Sequence, residues 1–389
     1  MKKSALLILT LIISVIIPIS NVVALDVQRT TNQPEPPSVV VLGDSIATGY
    51  RLTDYTAQPK PYARDSYVSI LERKTNSSFL NLAEDGLTSG GLVEKIATIS
   101  EQNSLAGDVF IISIGGNDLL QALFVAMAAN LGVDPSAVTD RLLAIIAGGD
   151  IQAIMSIANL ITNLSTDPIV ELYSKNLEQI ILELRTINPD ARIIVQTIAN
   201  PYKDISITNP AFRLFEDAVE AGIKSLNATI NSGTGYLVAD VYSTFARSTE
   251  VLTNATSIDM PFDPHPNQSG HAVIAGVVGQ LIPYTITIDS SINGKVVADK
   301  VIALPGDLVT LTITPSDGYK LDSINLNGDK LYGEAFTMSA ESVTITATFK
   351  ARIGIVFYII AGTFLLIAIS IGAFFLIKNL RTRKTSVAS

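Results

Sequence analysis

Short apolar runs alternate with longer helix-patterned segments from residue 38 to residue 283, and this alternation restricts the fold more than any other property of the chain. SVVVLG at 38–43, SFLNLA at 78–83, DVFIISIGG at 108–116, ARIIVQTI at 191–198 and GYLVADV at 235–241 read as strands. Between them, DSYVSILERKTN carries Tyr67, Ile70 and Leu71 at helical spacing, and PIVELYSKNLEQIILELRTINP is amphipathic up to Pro189. AFRLFEDAVEAGIKSLNATI and NQSGHAVIAGVVGQLI supply two more helices. Strands separated by helices need crossover connections, so the sheet should be parallel, buried, and covered by helices on both faces. The expectation is a three-layer α/β domain over residues 38–283.

One segment of this domain breaks the rhythm. Residues 119–165 include LLQALFVAMAANLG and LLAIIAGGDIQAIMSIANLI, which are more apolar than a crossover requires. Two readings stand: a hydrophobic cap of two or three inserted helices, or a thicker helical layer with no ligand role. Beyond Pro283 the pattern changes again. Residues 284–350 are rich in Thr, Val and Ile, carry NG, GD and DG pairs, and keep no helical period. A small all-β module is expected there, with a plain role as spacer or stalk. Through GYKLDSINLNG and FTMSAESVTITATF it resembles the β-repeat modules of bacterial surface proteins.

Two apolar runs lie outside these domains. The first opens the chain: Lys2 and Lys3 precede a long apolar stretch, and Val22 and Ala24 are spaced as for signal peptidase. Residues 1–24 are therefore expected to be a secretory signal, followed by a polar linker at 25–37. The second run, residues 353–377, has no charge and exceeds the ~20 residues needed to span a bilayer. Lys378, Arg381, Arg383 and Lys384 follow it, so residues 378–389 should be a cytoplasmic basic tail. The arrangement predicts a single-pass type I membrane protein with its folded part outside the cell.

Charge and cysteine usage narrow the partners. All 36 acidic residues lie between residues 25 and 350, while seven of the 27 basic residues lie outside that span. The folded part is thus more acidic than the whole-chain net charge of −9, which argues against nucleic acid. With no cysteine there is neither a disulfide framework nor a thiolate metal site. Extracellular domains without disulfides suit a bacterial surface, here of the Gram-positive type with a single membrane.

The chemistry-bearing residues cluster where strands end. GDS follows the first strand and sets Ser45 at a helix N-terminus, where backbone N–H groups can meet a developing oxyanion. Asp and Ser are also ordinary N-caps, and taken alone the triplet fits capping better. NLAEDGLTSGG follows the second strand and carries Gly86. IISIGGNDLL ends the third strand with Asn117, whose amide can donate a hydrogen bond, and with Asp118, most simply a helix cap. The segment DPHPNQSGH holds both histidines of the chain. His265 lies between Pro264 and Pro266, which restrict the loop, and Asp263 is close enough to orient its ring. His271 falls inside the last helix as a structural or surface residue.

Taken in order, GDS, the Gly86 loop, GGND and DPHPN resemble the four sequence blocks of the SGNH hydrolases, or GDSL lipase/esterase family, over nearly the whole α/β domain. The resemblance implies a flavodoxin-like α/β/α fold, Ser45 as nucleophile and His265 as general base. It also implies an oxyanion hole formed by the backbone N–H groups of Ser45 and Gly86 and by the amide of Asn117. Ile46 replaces the Leu of the family name. Phe262 stands where the family often has its aspartate, so Asp263 is the favoured third member and Asp259 the reserve. No metal or organic cofactor is implied. The apolar segment and the membrane helix suggest an acyl-lipid or lysophospholipid ester as substrate. The alternatives are an O-deacetylase of wall or extracellular polysaccharide, and a surface binding protein without activity.

Overall fold

The computed structural model describes residues 35–385 apart from 59, 102–104, 204, 206–212, 257–261 and 290. The expected leader at 1–24, residues 25–34 of the linker, residues 386–389 of the tail and the reserve acid Asp259 lie outside the described residues.

The chain enters the sheet through β1 (Val39–Gly43), makes the one-turn helix α1 (Ser45–Thr48), and continues through α2 (Tyr67–Thr75), β2 (Phe79–Asn81), α3 (Ser89–Glu101) and β3 (Val109–Ser113). Helix α4 (Gly116–Leu131), a 3-10 turn at Pro135–Ala137, α5 (Val138–Ala147) and α6 (Ile151–Asn163) precede the long helix α7 (Asp167–Ile187). Strand β4 (Arg192–Gln196), α8 (Arg213–Ser232), β5 (Leu237–Ala239), α9 (Val241–Arg247) and α10 (Gln268–Gly279) complete the domain. All five strands pair in parallel, in the order β2-β1-β3-β4-β5. The order reverses between β1 and β3, and a ligand crevice opens at the carboxyl ends of strands on either side of such a reversal.

Strand side chains alternate between two faces, and in β1, β3 and β4 both faces are buried. Val39 and Val41 of β1, with Ile111 of β3 and Ile194 of β4, pack against Leu71, Ile274 and Val278 of α2 and α10. Val40 and Leu42, with Phe110, Ile112, Ile193 and Val195, pack against α3, α7 and α8 through Leu92, Ile96, Leu177, Ile180 and Leu226. This double burial explains why the strands read as unbroken apolar runs in the sequence.

The apolar segment at 119–165 joins the second of these cores. Leu119, Leu123, Met127, Ile145, Ile157 and Ile161 are buried in it together with Leu177 and Leu226, so these side chains thicken the helical layer. Val125, Ile151 and Met155 of the same segment remain exposed.

The C-terminal region is β-rich and distinct from the parallel sheet. Strands β6 (Tyr284–Ile288), β7 (Gly294–Ala298), β8 (Ile302–Ala303), β9 (Leu308–Pro315), β10 (Tyr319–Leu326), β11 (Asp329–Lys330), β12 (Ala335–Thr337) and β13 (Val343–Ala351) form two sheets, β11-β10-β13-β6-β8 and β12-β9-β7. Asn327 and Gly328, with φ of 48° and 94°, make the tight turn that pairs Leu326 with Asp329. Two consecutive left-handed residues match the twist of a hairpin, which is why Asn-Gly is favoured there.

The module is docked on the α/β domain. The Ser342 N–H donates to the Lys74 carbonyl (2.8 Å), its hydroxyl donates to the Thr75 carbonyl (2.5 Å), and the buried Tyr284 hydroxyl donates to the Gly279 carbonyl (3.1 Å). Tyr284, Ile286 and Ile345 share one continuous core with Leu71 and Val278.

Strand β13 ends one residue before α11 (Ile353–Thr385). The residue between them, Arg352, donates from its backbone N–H to the Gly318 carbonyl (2.8 Å) and from Nε to the Tyr319 carbonyl (3.2 Å). Within α11, Phe357–Lys378 is a 22-residue stretch of mean hydropathy 2.5 with no part buried. By length and composition it can cross a membrane.

Candidate active site

The site starts at a close approach between two strands. A Cβ on Gly43, whose φ is 156°, would sit 2.3 Å from the Ser113 carbonyl oxygen, so only glycine fits where β1 leaves the sheet beside β3. The next residue, Asp44, donates its N–H to that same carbonyl (3.1 Å) and caps α1 by accepting from the Ile46 N–H (3.0 Å). Ser45 is the first residue of the turn and is 8% exposed. Asp44 is buried, and desolvation, with the charges of Asp118 and Asp85, pushes its carboxyl up to about 7 against the Ile46 hydrogen bond.

His265 faces this serine from the far end of the domain. Its Nε2 lies 2.9 Å from the Ser45 Oγ, and its Nδ1 lies 2.5 Å from the Asp263 Oδ1. An ionised carboxylate only accepts hydrogen bonds, so Nδ1 carries the proton and Nε2 offers its lone pair to the Ser45 hydroxyl. The same Asp263 oxygen accepts from the His265 backbone N–H (3.0 Å). Burial acts to raise the Asp263 carboxyl, but the His265 hydrogen bonds and the charges of His265 and Arg51 outweigh it and hold the group below its ordinary value.

The loop that carries the pair is pinned at both ends. The His265 carbonyl accepts from the Asn254 N–H (2.9 Å), the Asn267 N–H donates to the Leu252 carbonyl (3.0 Å), and the Asn267 side chain caps α10 by accepting from the Gly270 N–H (2.9 Å).

Gly86 follows β2 with a φ of 76°. Among the described residues no protein acceptor meets the backbone N–H of Ser45 or of Gly86. The preceding residue, Asp85, accepts from the Thr48 hydroxyl (2.6 Å) and from the Tyr55 hydroxyl, which ties this loop to the segment after Ser45. Asn117, at the carboxyl end of β3, donates from its amide to the Leu87 carbonyl (3.0 Å), with one amide hydrogen left over.

Asp118 corrects the reading from sequence. Helix α4 is capped at Gly115 without a side-chain bond, and the Asp118 carboxylate instead accepts from the N–H (2.9 Å) and hydroxyl (2.5 Å) of Ser89 at the start of α3. The Asn176 amide completes this buried clasp by donating to the Ser89 Oγ (2.8 Å). His271 is likewise no surface residue. It is 0% exposed, its Nδ1 accepts from the Tyr67 N–H (3.3 Å), and burial, with the nearby His265, pushes its imidazole down to about 3.

Sequence patterns did not disclose Tyr50 and Arg51. The Tyr50 ring meets the His265 ring edge-on at 4.9 Å, and the Arg51 Nε lies 3.1 Å from the Asp263 Oδ2. The signal available was their place a few residues after the serine, with no motif to mark it. Among the described residues no group of three or more metal-ligating side chains gathers.

A serine-bearing turn at the switch point of a parallel sheet faces an imidazole backed by a carboxylate, on a flavodoxin-like α/β/α fold. The GDSL-like Lipase/Acylhydrolase family matches residues 41–273, and the chain belongs to that family. Its class of reaction is the hydrolysis of esters. Residues 284–353 match the Divergent InlB B-repeat domain. Similar solved structures include an extracellular lipase from Streptomyces rimosus, at 18% identity and TM-score 0.42, covering 63% of this chain and 99% of that one. A phospholipase A1 from Streptomyces albidoflavus aligns at 15% identity and TM-score 0.44, over 64% of this chain and 100% of that one. A search of curated proteins found no match.

Proposed function

We propose that the chain is a serine esterase held at the outer face of a bacterial membrane, cleaving acyl esters of the lipid or lysophospholipid class through an acyl-enzyme. The single observation that carries the mechanism is the 2.9 Å contact between the Ser45 Oγ and the His265 Nε2, with Asp263 behind the ring. His265 takes the hydroxyl proton as the Ser45 Oγ attacks the acyl carbon. The backbone N–H groups of Ser45 and Gly86 and the amide of Asn117 receive the negative charge on the carbonyl oxygen. The imidazolium, stabilised by Asp263, then protonates the leaving alkoxide. Water enters, gives its proton to His265, and releases the acid by the same steps in reverse.

Support for a lipid substrate comes from the apolar helix at Phe357–Lys378, which would hold the enzyme where acyl chains are abundant. The basic residues after it favour a cytoplasmic tail and an outward-facing hydrolase. The aromatic wall of Tyr50 and Tyr55, in edge contact at 5.3 Å, gives the imidazole an apolar flank.

A fluorophosphonate probe tests the reading directly. Wild type should be labelled and Ser45→Ala should not; equal labelling would remove Ser45 as nucleophile. A series of p-nitrophenyl esters should favour medium or long chains, whereas strict preference for acetate would replace the lipid substrate with an acetylated polysaccharide.

A further inference from the structure

We propose that Arg51 is a positioning residue of the reaction: it holds the far oxygen of Asp263 while His265 holds the near one, fixing the carboxylate and limiting how strongly it stabilises the protonated ring. The inference rests on the catalytic reading of Ser45, His265 and Asp263.

The two oxygens of Asp263 are divided between the His265 donors and the Arg51 cation. Oδ1 takes both hydrogen bonds from His265, and Oδ2 faces the Arg51 Nε at 3.1 Å. Asp263 is only 9% exposed, so Oδ2 has little water to turn to if the guanidinium leaves. Arg51 is also fixed from its other side. Its guanidinium carbon lies 4.9 Å above the Tyr50 ring, and that ring meets the edge of the His265 imidazole. One side chain thus touches both the carboxylate behind the base and the aromatic flank beside it.

The backbone is bent to achieve this. Arg51 has a φ of 72°, a left-handed conformation that side-chain-bearing residues rarely adopt. It lies just past the helix that carries Ser45, in a stretch held by the Tyr50 N–H on the Ser45 carbonyl (3.1 Å) and the Leu52 N–H on the Gly49 carbonyl (3.2 Å). An unfavourable conformation next to a site persists where the surroundings over-determine it, and here they return the guanidinium to Asp263.

Among the described residues, the groups facing the pair are few. Asp263 faces His265 and Arg51, with Tyr202 nearby donating its hydroxyl to the Phe262 carbonyl (3.3 Å). His265 faces Tyr50, Ser45 and Asp263, and the buried His271 behind it stays neutral. Arg51 is therefore the permanent positive charge set against Asp263. Its field opposes a second positive charge on the ring, and its ionic contact with Oδ2, an atom with no hydrogen bond of its own among the described residues, restrains the carboxylate. Without it, the full charge of Asp263 acts on the imidazolium, so the inactive protonated form survives to higher pH.

The test compares full-length wild type with Arg51→Gln and Arg51→Lys, reading kcat and KM for p-nitrophenyl butyrate across pH at the isosbestic wavelength. For Arg51→Gln the acid limb of kcat/KM should move to higher pH, and plateau kcat should fall on the order of tenfold with KM little changed. Arg51→Lys, which keeps the charge but not the fork, should return the acid limb toward wild type. A Gln profile that superimposes on wild type, or a Lys variant no nearer to wild type than Gln, overturns the proposal. Wild type that fails to turn over, or Ser45→Ala that turns over equally, sinks the catalytic reading itself and this inference with it. Only the first kind of failure leaves Ser45-dependent hydrolysis intact.

Discussion

The two histidines stand six residues apart, one on the loop at 263–267 and the other on α10, and their surroundings differ in almost every respect. His265 keeps 16% of its side chain exposed and has a carboxylate on one nitrogen and a hydroxyl on the other. His271 has no exposure, a backbone N–H on one nitrogen and, among the described residues, no hydrogen-bond partner for the other. Burial without a charge partner keeps the second imidazole neutral, whereas the first stands between a carboxylate and a hydroxyl, the arrangement the proposed general base requires. The same side chain serves as the proposed base or as a core element according to whether an anion stands behind it.

The largest test of that contrast is turnover. His265→Ala should lower kcat by roughly 10⁴- to 10⁶-fold, while His271→Ala keeps most of it when assayed as folded protein. Equal losses would mean that the contrast is misassigned. Next in size, Asp263→Asn should lower kcat by about 10⁴-fold, because an amide cannot hold the required tautomer. Full activity in that variant would leave His265 without the anion on which the comparison depends. His271→Ala should instead cost stability, about 2–4 kcal/mol by denaturant unfolding.

The smallest effect concerns acid. Because the His271 imidazole is pushed from an ordinary value of 6.5 to about 3, the unfolded chain binds its proton first as pH falls. Stability from this residue is therefore present above about 6.5 and is lost progressively toward about 3. His271→Gln, which can still accept from the Tyr67 N–H, should show a shallower fall in Tm between pH 6.5 and 4 than wild type. An identical slope would show that the buried ring does not control the acid limb.

The parallel sheet and the residues near the serine were legible in the sequence to different depths, whereas the strand order was not read from it. The double burial of Val39–Leu42 and Val109–Ile112 wrote the parallel sheet into apolar runs. Ser45, Gly86 and Asn117 were visible because each follows the end of a strand within a short motif, and His265 because DPHPN stands just before the last helix of the domain. Arg51 and Tyr50 were not, since their partners lie more than two hundred positions away and nothing local marks the contact. Asp118 was read as a cap because caps are local; its true partner, Ser89, is 29 residues earlier. The module at 284–350 read as a spacer or stalk, with nothing in the sequence to mark its docking. Its docking depends on Tyr284, Ser342 and Leu71 meeting in space, which periodicity does not encode.

That docking has a mechanical consequence. A single residue, Arg352, separates the last strand from the long apolar helix, and its own hydrogen bonds clamp it to the turn at Gly318 and Tyr319. A flexible leash would let the hydrolase sweep a volume set by its contour length. A one-residue joint held by those two bonds shortens that sweep, so whatever grips the helix also limits the height at which Ser45 stands. Under the proposed anchoring, substrates would meet Ser45 at one level, and lengthening the joint with Gly-Ser residues would turn a bracket into a tether.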